Sequence, residues 1–251
     1  MNQTKIEWTD RTLNPVVGCN NGCPYCYARG QAKRQRKRCK LCHDFIPHPH
    51  LSRLNHLTIR QKPRKIFIDS MSDWNGTGVE EEWLITIIKK MKECSQHTFQ
   101  ILSKMPKGYE RFEFPHNIWL GISISTTADC HRVRDLGNLE NPNIKFVSIE
   151  PLHGKIDFWF SKERIDWLII GAETGNRKGK IKPQSEWIVS IIENARTEKI
   201  PLFIKGNLHW PEEVKEYPRG TKGICNLQEQ ELIKDPDCQQ EVQKVCPPSK
   251  E

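Results

Sequence analysis

The stretch Cys19-Asn20-Asn21-Gly22-Cys23-Pro24-Tyr25-Cys26-Tyr27-Ala28 holds three cysteines at the spacing C-x3-C-x2-C. Thiolates are soft ligands that suit iron–sulfur clusters or zinc. Gly22 and Pro24 favour a tight, non-helical turn in which the backbone closes around a ligand. The spacing predicts that Cys19, Cys23 and Cys26 bind a [4Fe–4S] cluster and leave its fourth iron open for chemistry. A structural zinc loop with a fourth ligand from elsewhere in the chain is the alternative.

A strongly basic segment follows this loop directly. The sequence predicts a helix over residues 27–40, and cationic side chains fall around its whole circumference in segment 29–40. A basic helix leaving the loop could follow a phosphate backbone of nucleic acid. A solvated charged face is the alternative interpretation. The cationic residues are Arg29, Lys33, Arg34, Arg36, Lys37, Arg38 and Lys40.

Residues 39–56 form a short insert rich in cysteine and histidine. Cys39 and Cys42 stand at C-x2-C, and they are followed by His43, His48, His50 and His56. This pattern has the ligand softness and the spacing of a zinc site. We predict a small zinc-binding insert that uses Cys39, Cys42 and two of His43, His48 and His50, and of these we select His48 and His50. A loop with incidental histidines is the alternative.

From residue 64 onward, short apolar runs alternate with segments of helical periodicity. The periodicity predicts helices over residues 80–94, 128–136 and 183–197. Apolar strands joined by helical connections predict an α/β fold whose sheet is mostly parallel and buried on both faces. The predicted strands are 65–70, 98–104, 118–124, 144–149, 167–170 and 201–204.

Each of these predicted strands ends in polar or charged side chains. Carboxyl ends of parallel strands form the active face of barrels and of open α/β sheets alike. One such end would be trivial, because every strand must stop, but six in succession indicate the lining of one site. The residues at these ends are Asp69, Ser70, Ser72, Asp73, Ser103, Lys104, Ser123, Ser125, Glu150, Glu173 and Lys205.

Beyond residue 206 the periodicity decays. We expect residues 1–206 to form the main domain and residues 207–251 to form a polar C-terminal extension. Cys225, Cys238 and Cys246 lie in this extension at spacings that match no cluster loop. We interpret them as incidental cysteines, with a second metal site as the alternative.

The composition favours one large domain with a full core. The chain has 251 residues, of which 36% are hydrophobic, and its net charge is +8. It contains no run of eighteen apolar residues, and Met1–Asp10 lacks the pattern of a signal peptide. We therefore expect no membrane partner and a cytoplasmic location, where clustered thiols stay reduced and act as metal ligands. The positive charge favours an anionic partner such as nucleic acid.

Two sets of residues resemble known proteins. The cysteine loop, with Tyr25 just before its third cysteine, is similar to the cluster loop of radical S-adenosylmethionine (SAM) enzymes. Ile6-Glu7-Trp8-Thr9-Asp10, followed by Asn14-Pro15 and then this loop, resembles the phage Gp37/Gp68 family, a radical-SAM-like group. The likeness runs from about Lys5 to Gly206. It implies a partial (β/α)6 TIM-type barrel of the radical SAM kind, in a protein of a bacterial host cell encoded by a phage or prophage.

This resemblance also implies a [4Fe–4S] cluster and SAM as cofactors, with the open iron binding the amino and carboxylate groups of SAM. Strand ends Leu102-Ser103-Lys104 and Gly121-Ile122-Ser123-Ile124-Ser125 are similar to those of spore photoproduct lyase, where a lysine and a serine approach SAM. Glu150 and Glu173 would bind the SAM ribose, contact substrate, or pair with Lys104 and Lys205. The implied cofactor-binding residues are Ser70, Ser72, Asp73, Lys104, Ser123, Ser125, Glu150 and Glu173.

The function that follows is reductive cleavage of SAM to a 5′-deoxyadenosyl radical that acts on a nucleic-acid base, in repair or modification. An electron donor such as flavodoxin or ferredoxin would be a partner. One alternative is a radical SAM enzyme that acts on a protein or a small metabolite. The other is a non-catalytic zinc or iron–sulfur protein that binds nucleic acid, which would explain the cysteines but not the six polar strand ends.

Overall fold

Ten strands and five α-helices lie in the part of the chain that the structure, a computed structural model, describes: residues 1–35, 39–162, 164–175 and 177–218. The strands are β1 (Asn2–Gln3), β2 (Arg11–Leu13), β3 (Val16–Val17), β4 (His48–Pro49), β5 (Lys65–Ile68), β6 (Thr98–Ser103), β7 (Ile118–Ile124), β8 (Lys145–Ile149), β9 (Trp167–Ile170) and β10 (Leu202–Ile204). The α-helices are α1 (Tyr27–Ala32), α2 (Lys40–Asp44), α3 (Glu81–Glu93), α4 (His131–Gly137) and α5 (Ser185–Thr197). Short 3-10 helices cover Lys33–Gln35, Leu51–His56, Pro106–Arg111, Thr127–Cys130 and Gly206–Leu208.

Eight of these strands form one sheet in the order β1-β2-β5-β6-β7-β8-β9-β10. β1 is antiparallel to β2, and each of the other neighbouring pairs is parallel. β3 and β4 form a separate antiparallel pair. Within the described residues the two end strands, β1 and β10, do not pair with each other, so the sheet is open rather than closed into a barrel. The prediction of an α/β fold with a mostly parallel sheet is confirmed.

The helices predicted from apolar periodicity are confirmed as α3, α5 and the helical segment that ends in α4. The helix predicted over residues 27–40 is wrong in length, because α1 ends at Ala32 and a separate helix, α2, begins at Lys40. Cys39 explains the new start: its backbone is extended and its Sγ accepts the N–H of Cys42, as an N-cap does. The basic residues Arg36, Lys37 and Arg38 lie outside the described residues.

One face of the large sheet packs against the helices. Ile87 of α3 and Ile191 of α5 are buried in one apolar cluster with strand residues such as Leu120 and Ile122. The apolar stripe of each helix is what this packing buries, and burial of each such side chain stabilises the fold by about 1.5–3 kcal/mol. The apolar residues whose periodicity predicted α3 and α5 are therefore the ones that pack these helices against the sheet.

The other face carries an aromatic layer. The rings of Trp8 and Phe67 lie 4.8 Å apart, centroid to centroid, and those of Phe146 and Trp167 lie 5.6 Å apart. Side chains alternate across a strand, so residues two and four positions further along face the same side. In β7, β8 and β10, polar side chains occupy positions of this kind. The layer consists of Trp8, Phe67, Trp119, Phe146, Trp167 and Phe203, and the polar side chains that follow are Ser123, Ser148, Glu150 and Lys205.

Gly121 lets two neighbouring strands fit this layer. A Cβ atom at Gly121 would lie 2.2 Å from the Phe146 ring, whereas one at Gly30 in α1 meets nothing within 4 Å. We expect Gly121→Ala to lower the free energy of unfolding by about 2–3 kcal/mol through overpacking. Gly30→Ala should raise it by about 0.5–1 kcal/mol, because alanine favours the helix. Urea denaturation followed by circular dichroism measures both, and equal midpoints for the two variants would contradict the close packing.

The first compact unit of the chain spans Met1–Pro218. Its last segment packs on the edge of the sheet, where Lys215 bridges to Phe203 and the Glu216 N–H donates to the Leu202 carbonyl. The second unit, Arg219–Glu251, lies outside the described residues, and so do Cys225, Cys238 and Cys246. The predicted extension 207–251 therefore falls largely there. None of the helices in the described ranges combines the length and apolarity needed to cross a bilayer.

Candidate functional site

A cavity opens at the carboxyl ends of the parallel strands. It encloses, with its mouth, about 1060 Å³ of empty space. The cysteine loop forms one wall and the ends of β5 to β10 form the others. Ser125 lies outside the lining, and its Oγ is 3.2 Å from the Tyr25 hydroxyl. The other residues predicted to bind the cluster or SAM all line the cavity: Cys19, Cys23, Cys26, Ser70, Ser72, Asp73, Lys104, Ser123, Glu150 and Glu173.

The cysteine loop is anchored at both ends by backbone contacts. The Gly18 N–H donates to the Met71 carbonyl at 3.0 Å, and the Cys19 N–H donates to the Phe45 carbonyl at 3.1 Å. At the other end Cys26 caps α1, because its Sγ accepts the Arg29 N–H at 3.4 Å. Burial raises the pKa of the Cys19 thiol to about 11. The three loop cysteines are partly exposed and form no disulfide with one another.

Asp73 ties this loop to the sheet. Its Oδ2 accepts hydrogen bonds from Asn21 Nδ2 at 2.7 Å and from the Lys104 N–H at 3.0 Å. Its Oδ1 accepts the hydroxyl proton of Ser103 at 2.6 Å. The residue is only 6% exposed. Three donors occupy this carboxylate, so its first role is to hold the loop against the end of β6.

Ser70 and Ser72 also bind the N-terminal segment. The Ser72 hydroxyl donates to the Gly18 carbonyl at 2.7 Å, and the Ser70 hydroxyl donates to Asn14 Oδ1 at 3.0 Å. Asp69 has a left-handed backbone (φ 58°) and accepts the Val16 N–H at 2.7 Å. Burial raises the pKa of the Asp69 carboxyl well above its usual range. The side chains at the end of β5 therefore hold residues 14–18 in place through hydrogen bonds.

Lys104 points its cation at Tyr25. Its Nζ donates to the Tyr25 hydroxyl at 2.7 Å and lies 5.1 Å from the centroid of that ring. Burial opposes the charge, but the hydrogen bond to Tyr25 and the attraction to Tyr25 and Cys23 together raise the pKa of Lys104. In the described part of the chain no carboxylate lies within ion-pair distance of this lysine. Lys104 is thus a charged group that remains available to an anion in the cavity.

Glu150 forms a buried network with Lys205. Glu150 Oε1 lies 2.5 Å from Lys205 Nζ, and Oε2 accepts Trp8 Nε1–H at 3.2 Å and the Ser148 hydroxyl at 3.1 Å. The Ser123 hydroxyl donates to the Glu150 carbonyl at 3.2 Å. Of the roles considered for Glu150, the pairing with Lys205 is the one that the structure contains.

Glu173 has other partners. Arg177 donates to both carboxylate oxygens at 2.7 Å, and His153 Nε2 lies 3.1 Å from Oε2. The Arg177 guanidinium, assisted by His153, holds the pKa of the Glu173 carboxyl below its usual range. Its pairing with Lys104 or Lys205 is therefore not found. The His153 ring stands edge-on to Tyr25 at 5.0 Å, which links this cluster to the cysteine loop.

A second group of ligand atoms lies in the insert. The sulfurs and Nε2 atoms of Cys39, Cys42, His48 and His50 all lie within 4.8 Å of one another, and together they could bind a metal ion such as zinc. Cys39 Sγ and Cys42 Sγ are each 3.4 Å from His48 Nε2, and Cys42 Sγ is 3.1 Å from His50 Nε2. Zinc bonds of about 2.3 Å to sulfur and 2.0 Å to nitrogen at tetrahedral angles place ligands at about 3.5 Å. His43 takes no part, because it pairs with Asp44 at 2.8 Å.

The surroundings prepare these four residues as ligands. His48 Nδ1 lies 2.7 Å from the Ile46 carbonyl, which fixes the tautomer that leaves Nε2 free to bind metal. Burial lowers the pKa of His50 to about 4, so its imidazole is neutral at physiological pH. Burial raises the pKa of Cys42 to about 11, so metal binding must displace its proton.

Sequence reasoning missed several residues of the cavity. Asn21 and Tyr25 lie inside the cysteine loop, and Trp8 lies in the segment Ile6–Asp10, so their positions were a usable signal. His153 and Arg177 contact Glu173 from outside the cavity lining, and no pattern in the sequence indicates them. Their role is recognised only in the structure, from their contacts with Glu173.

Comparison with known proteins gives a family but no named relative. No curated protein and no solved structure matches the chain. A family model matches residues 3–235, a range that contains both cysteine groups and every strand end of the cavity. Because this match spans more than half of the chain, the protein belongs to the family described as Protein of unknown function (DUF5131).

Proposed function

We propose that the protein is a radical SAM enzyme that acts on a nucleic-acid base, in repair or modification. One observation carries the proposal: Cys19, Cys23 and Cys26 line the same cavity as the polar ends of the parallel strands. A cluster that binds SAM needs such a cavity beside its open iron, because small-molecule sites are concave and largely pre-formed. The resemblance of the loop to radical SAM enzymes supports the same conclusion.

The donor set of the loop suits a cluster better than a single ion. In the described ranges, the ligand atoms of the insert lie close enough together to bind one metal ion. The loop cysteines do not form such a group. A [4Fe–4S] cluster binds each thiolate at a different iron, so its cysteines need no common centre. Three partly exposed thiols on a cavity wall fit that requirement.

The open sheet fits the proposed fold. We propose that β5 to β10 form a partial (β/α)6 barrel of the radical SAM kind, because they follow one another in chain order and all run parallel. Helices α3 and α5 cover one face, and the cavity lies at the carboxyl ends of the strands. This is the end at which barrels and open α/β sheets bind their ligands.

The roles of individual residues follow from their partners. When bound, the cluster and SAM supply the chemistry, reductive cleavage to a 5′-deoxyadenosyl radical that removes hydrogen from the substrate. Lys104, which has no carboxylate partner in the described ranges, would bind the SAM carboxylate. Tyr25, which contacts both Lys104 and Ser125, would orient Lys104, and Ser125 would orient the ribose. The Glu150–Lys205 pair and Glu173 would shape the rest of the wall.

The nucleic-acid part of the proposal rests on charge. The net charge is +8, and Arg29, Lys33 and Arg34 follow the loop in α1 and the turn after it. An electron donor such as flavodoxin or ferredoxin would reduce the cluster. A non-catalytic nucleic-acid-binding protein is the second candidate, favoured by the ligand group at Cys39, Cys42, His48 and His50 alone. A protein or small-metabolite substrate remains the alternative within the enzyme class.

Iron analysis and a SAM cleavage assay test this function. We expect the anaerobically reconstituted protein to hold about four irons per chain, the content of one [4Fe–4S] cluster. Dithionite and SAM should then yield 5′-deoxyadenosine, and an added oligonucleotide should raise its rate of formation. Cys23→Ala should lose both iron and product. Cys94→Ala is the matched control. Cys94 is buried just before the amino end of β6, whereas the cavity lies at the carboxyl ends of the strands. A colourless protein that leaves SAM intact would refute the proposal.

Lys104 offers a second test. A charge-assisted hydrogen bond contributes about 1.5–3 kcal/mol, so we expect Lys104→Ala to raise the dissociation constant of SAM by about 10- to 100-fold. Lys107→Ala is the control, because Lys107 is an exposed lysine near the same strand end, 3.8 Å from Asp135. Calorimetry on the unreduced cluster protein measures both constants. Equal affinities for the two variants would exclude Lys104 from the SAM site.

A further inference from the structure

The ligand group of the insert is a closed site. Two sulfurs and two imidazole nitrogens converge, and four protein ligands complete a tetrahedral zinc sphere without an open position. Closed sites of this kind are structural, whereas catalytic zinc keeps a position for water or substrate. The question is therefore what the ion would hold in place.

The insert is joined to the chain segment that enters the cysteine loop. Residue His48 in β4 pairs with Val17 in β3, and the His50 N–H donates to the Pro15 carbonyl at 2.6 Å. Gly18, which follows Val17, lies so close to the insert that a Cβ atom at this position would be 2.2 Å from the Ile46 carbonyl oxygen. Two of the four ligands thus lie on backbone that directly contacts residues 15–18, immediately before Cys19.

The turn between the two halves of the ligand group supports the loop itself. Phe45 follows Cys42 at the end of α2, and its carbonyl accepts the Cys19 N–H at 3.1 Å. Its buried ring packs with Ala28 and Ala32 of α1, and Cys19 and Cys26 pack against this cluster. Phe45 also lines the cavity. Ligands on both sides, Cys42 before it and His48 after it, fix the turn that carries this residue.

We propose that Cys39, Cys42, His48 and His50 bind a structural Zn²⁺ ion that positions the cysteine loop for its own metal group. The two metal groups stabilise each other, but the four zinc ligands form a complete set without the loop cysteines. Loss of zinc releases Phe45 and residues 15–18 and therefore loosens Cys19 and Cys26, whereas loss of a loop cysteine leaves all four zinc ligands in place. The inference rests on the proposed function only for the identity of the loop's group, an iron–sulfur cluster.

Metal content of matched variants tests whether the loop needs the zinc site to retain its own metal group. We expect His50→Ala to lose zinc and to release iron about tenfold faster, as on removal of an outer support of a metal site. Cys23→Ala should lose iron and keep one zinc per chain. His43→Ala is the control within the insert, because His43 lies outside the ligand group, and it should keep both metals. Full iron retention in zinc-free His50→Ala protein would overturn the proposal.

Thiol alkylation of the iron-free protein tests it without cluster or activity, and avoids a variant that fails to fold. We expect removal of zinc from the wild-type chain to speed alkylation of Cys19 and Cys26 about tenfold, with zinc restoring the slow rate. Zinc added to His50→Ala should change nothing. Equal rates with and without zinc, or equal slowing in His50→Ala, would overturn the proposal. Zinc protection in a protein that never takes up iron would support it while refuting the proposed enzyme.

Discussion

We expect Asp73→Ala to lower the free energy of unfolding by about 3 kcal/mol and to weaken iron retention by the cysteine loop. Three donors lose their acceptor at once: the Ser103 hydroxyl, the Lys104 N–H and the Asn21 amide. Each buried donor left without a partner costs about 1–3 kcal/mol, and the solvation regained by the exposed Asn21 keeps the sum near the lower end. The loop then loses its side-chain tie to β6.

Two variants separate the fold from the loop. Asn21→Ala removes only the exposed arm of the network, so we expect less than about 1 kcal/mol of lost stability together with weakened iron retention. Ser103→Ala removes the buried arm, so it should destabilise the fold by about 1–2 kcal/mol and leave the loop attached. Urea denaturation of the iron-free proteins gives the stabilities, and iron release into a chelator gives the retention. An Asp73→Ala protein as stable as the wild type would contradict the role of this carboxylate.

The position of Asp73 was predictable from the sequence, but its partners were not. Carboxyl ends of parallel strands meet at one edge, so the polar residues after β5, β6, β7 and β8 had to lie near one another. Which groups pair depends on strand register and on rotamers. Lys104 and Tyr25 are 79 residues apart, and Lys205 and Glu150 are 55 apart. No local pattern encodes such a pair.

The error in the basic helix has a different cause. Segment 27–40 is rich in residues with good helix propensity, and propensity alone predicts one continuous helix. The helix instead stops at Ala32, and Cys39 adopts an extended backbone that starts α2. The ligand group at Cys39 and Cys42 explains this start, since its side chains must converge with those of His48 and His50. Tertiary geometry overrides propensity at this point, as it often does at functional sites.

The second large effect concerns the pair of Glu150 and Lys205. Their side chains are only 17% and 10% exposed, and removing one partner of a buried pair costs about 3–5 kcal/mol, because the other charge stays buried without compensation. We expect Lys205→Met to lower the free energy of unfolding by that amount. The carboxylate left behind would retain only the neutral donors Trp8 Nε1–H and the Ser148 hydroxyl.

The double variant Glu150→Gln/Lys205→Met should recover most of this loss. It removes both charges together. The glutamine oxygen can still accept the hydrogen bond from Trp8 Nε1–H that the Glu150 carboxylate accepted. A double-mutant cycle in urea should then give a coupling energy of about 2–3 kcal/mol between the two residues. The exposed pair Arg196–Glu216 is the control, since its 2.7 Å separation is similar but its side chains are 50% and 40% exposed. Arg196→Met should cost less than about 1 kcal/mol. A coupling energy near zero would mean that Glu150 and Lys205 are not a structural pair, and both would then become candidates for contacting a ligand in the cavity.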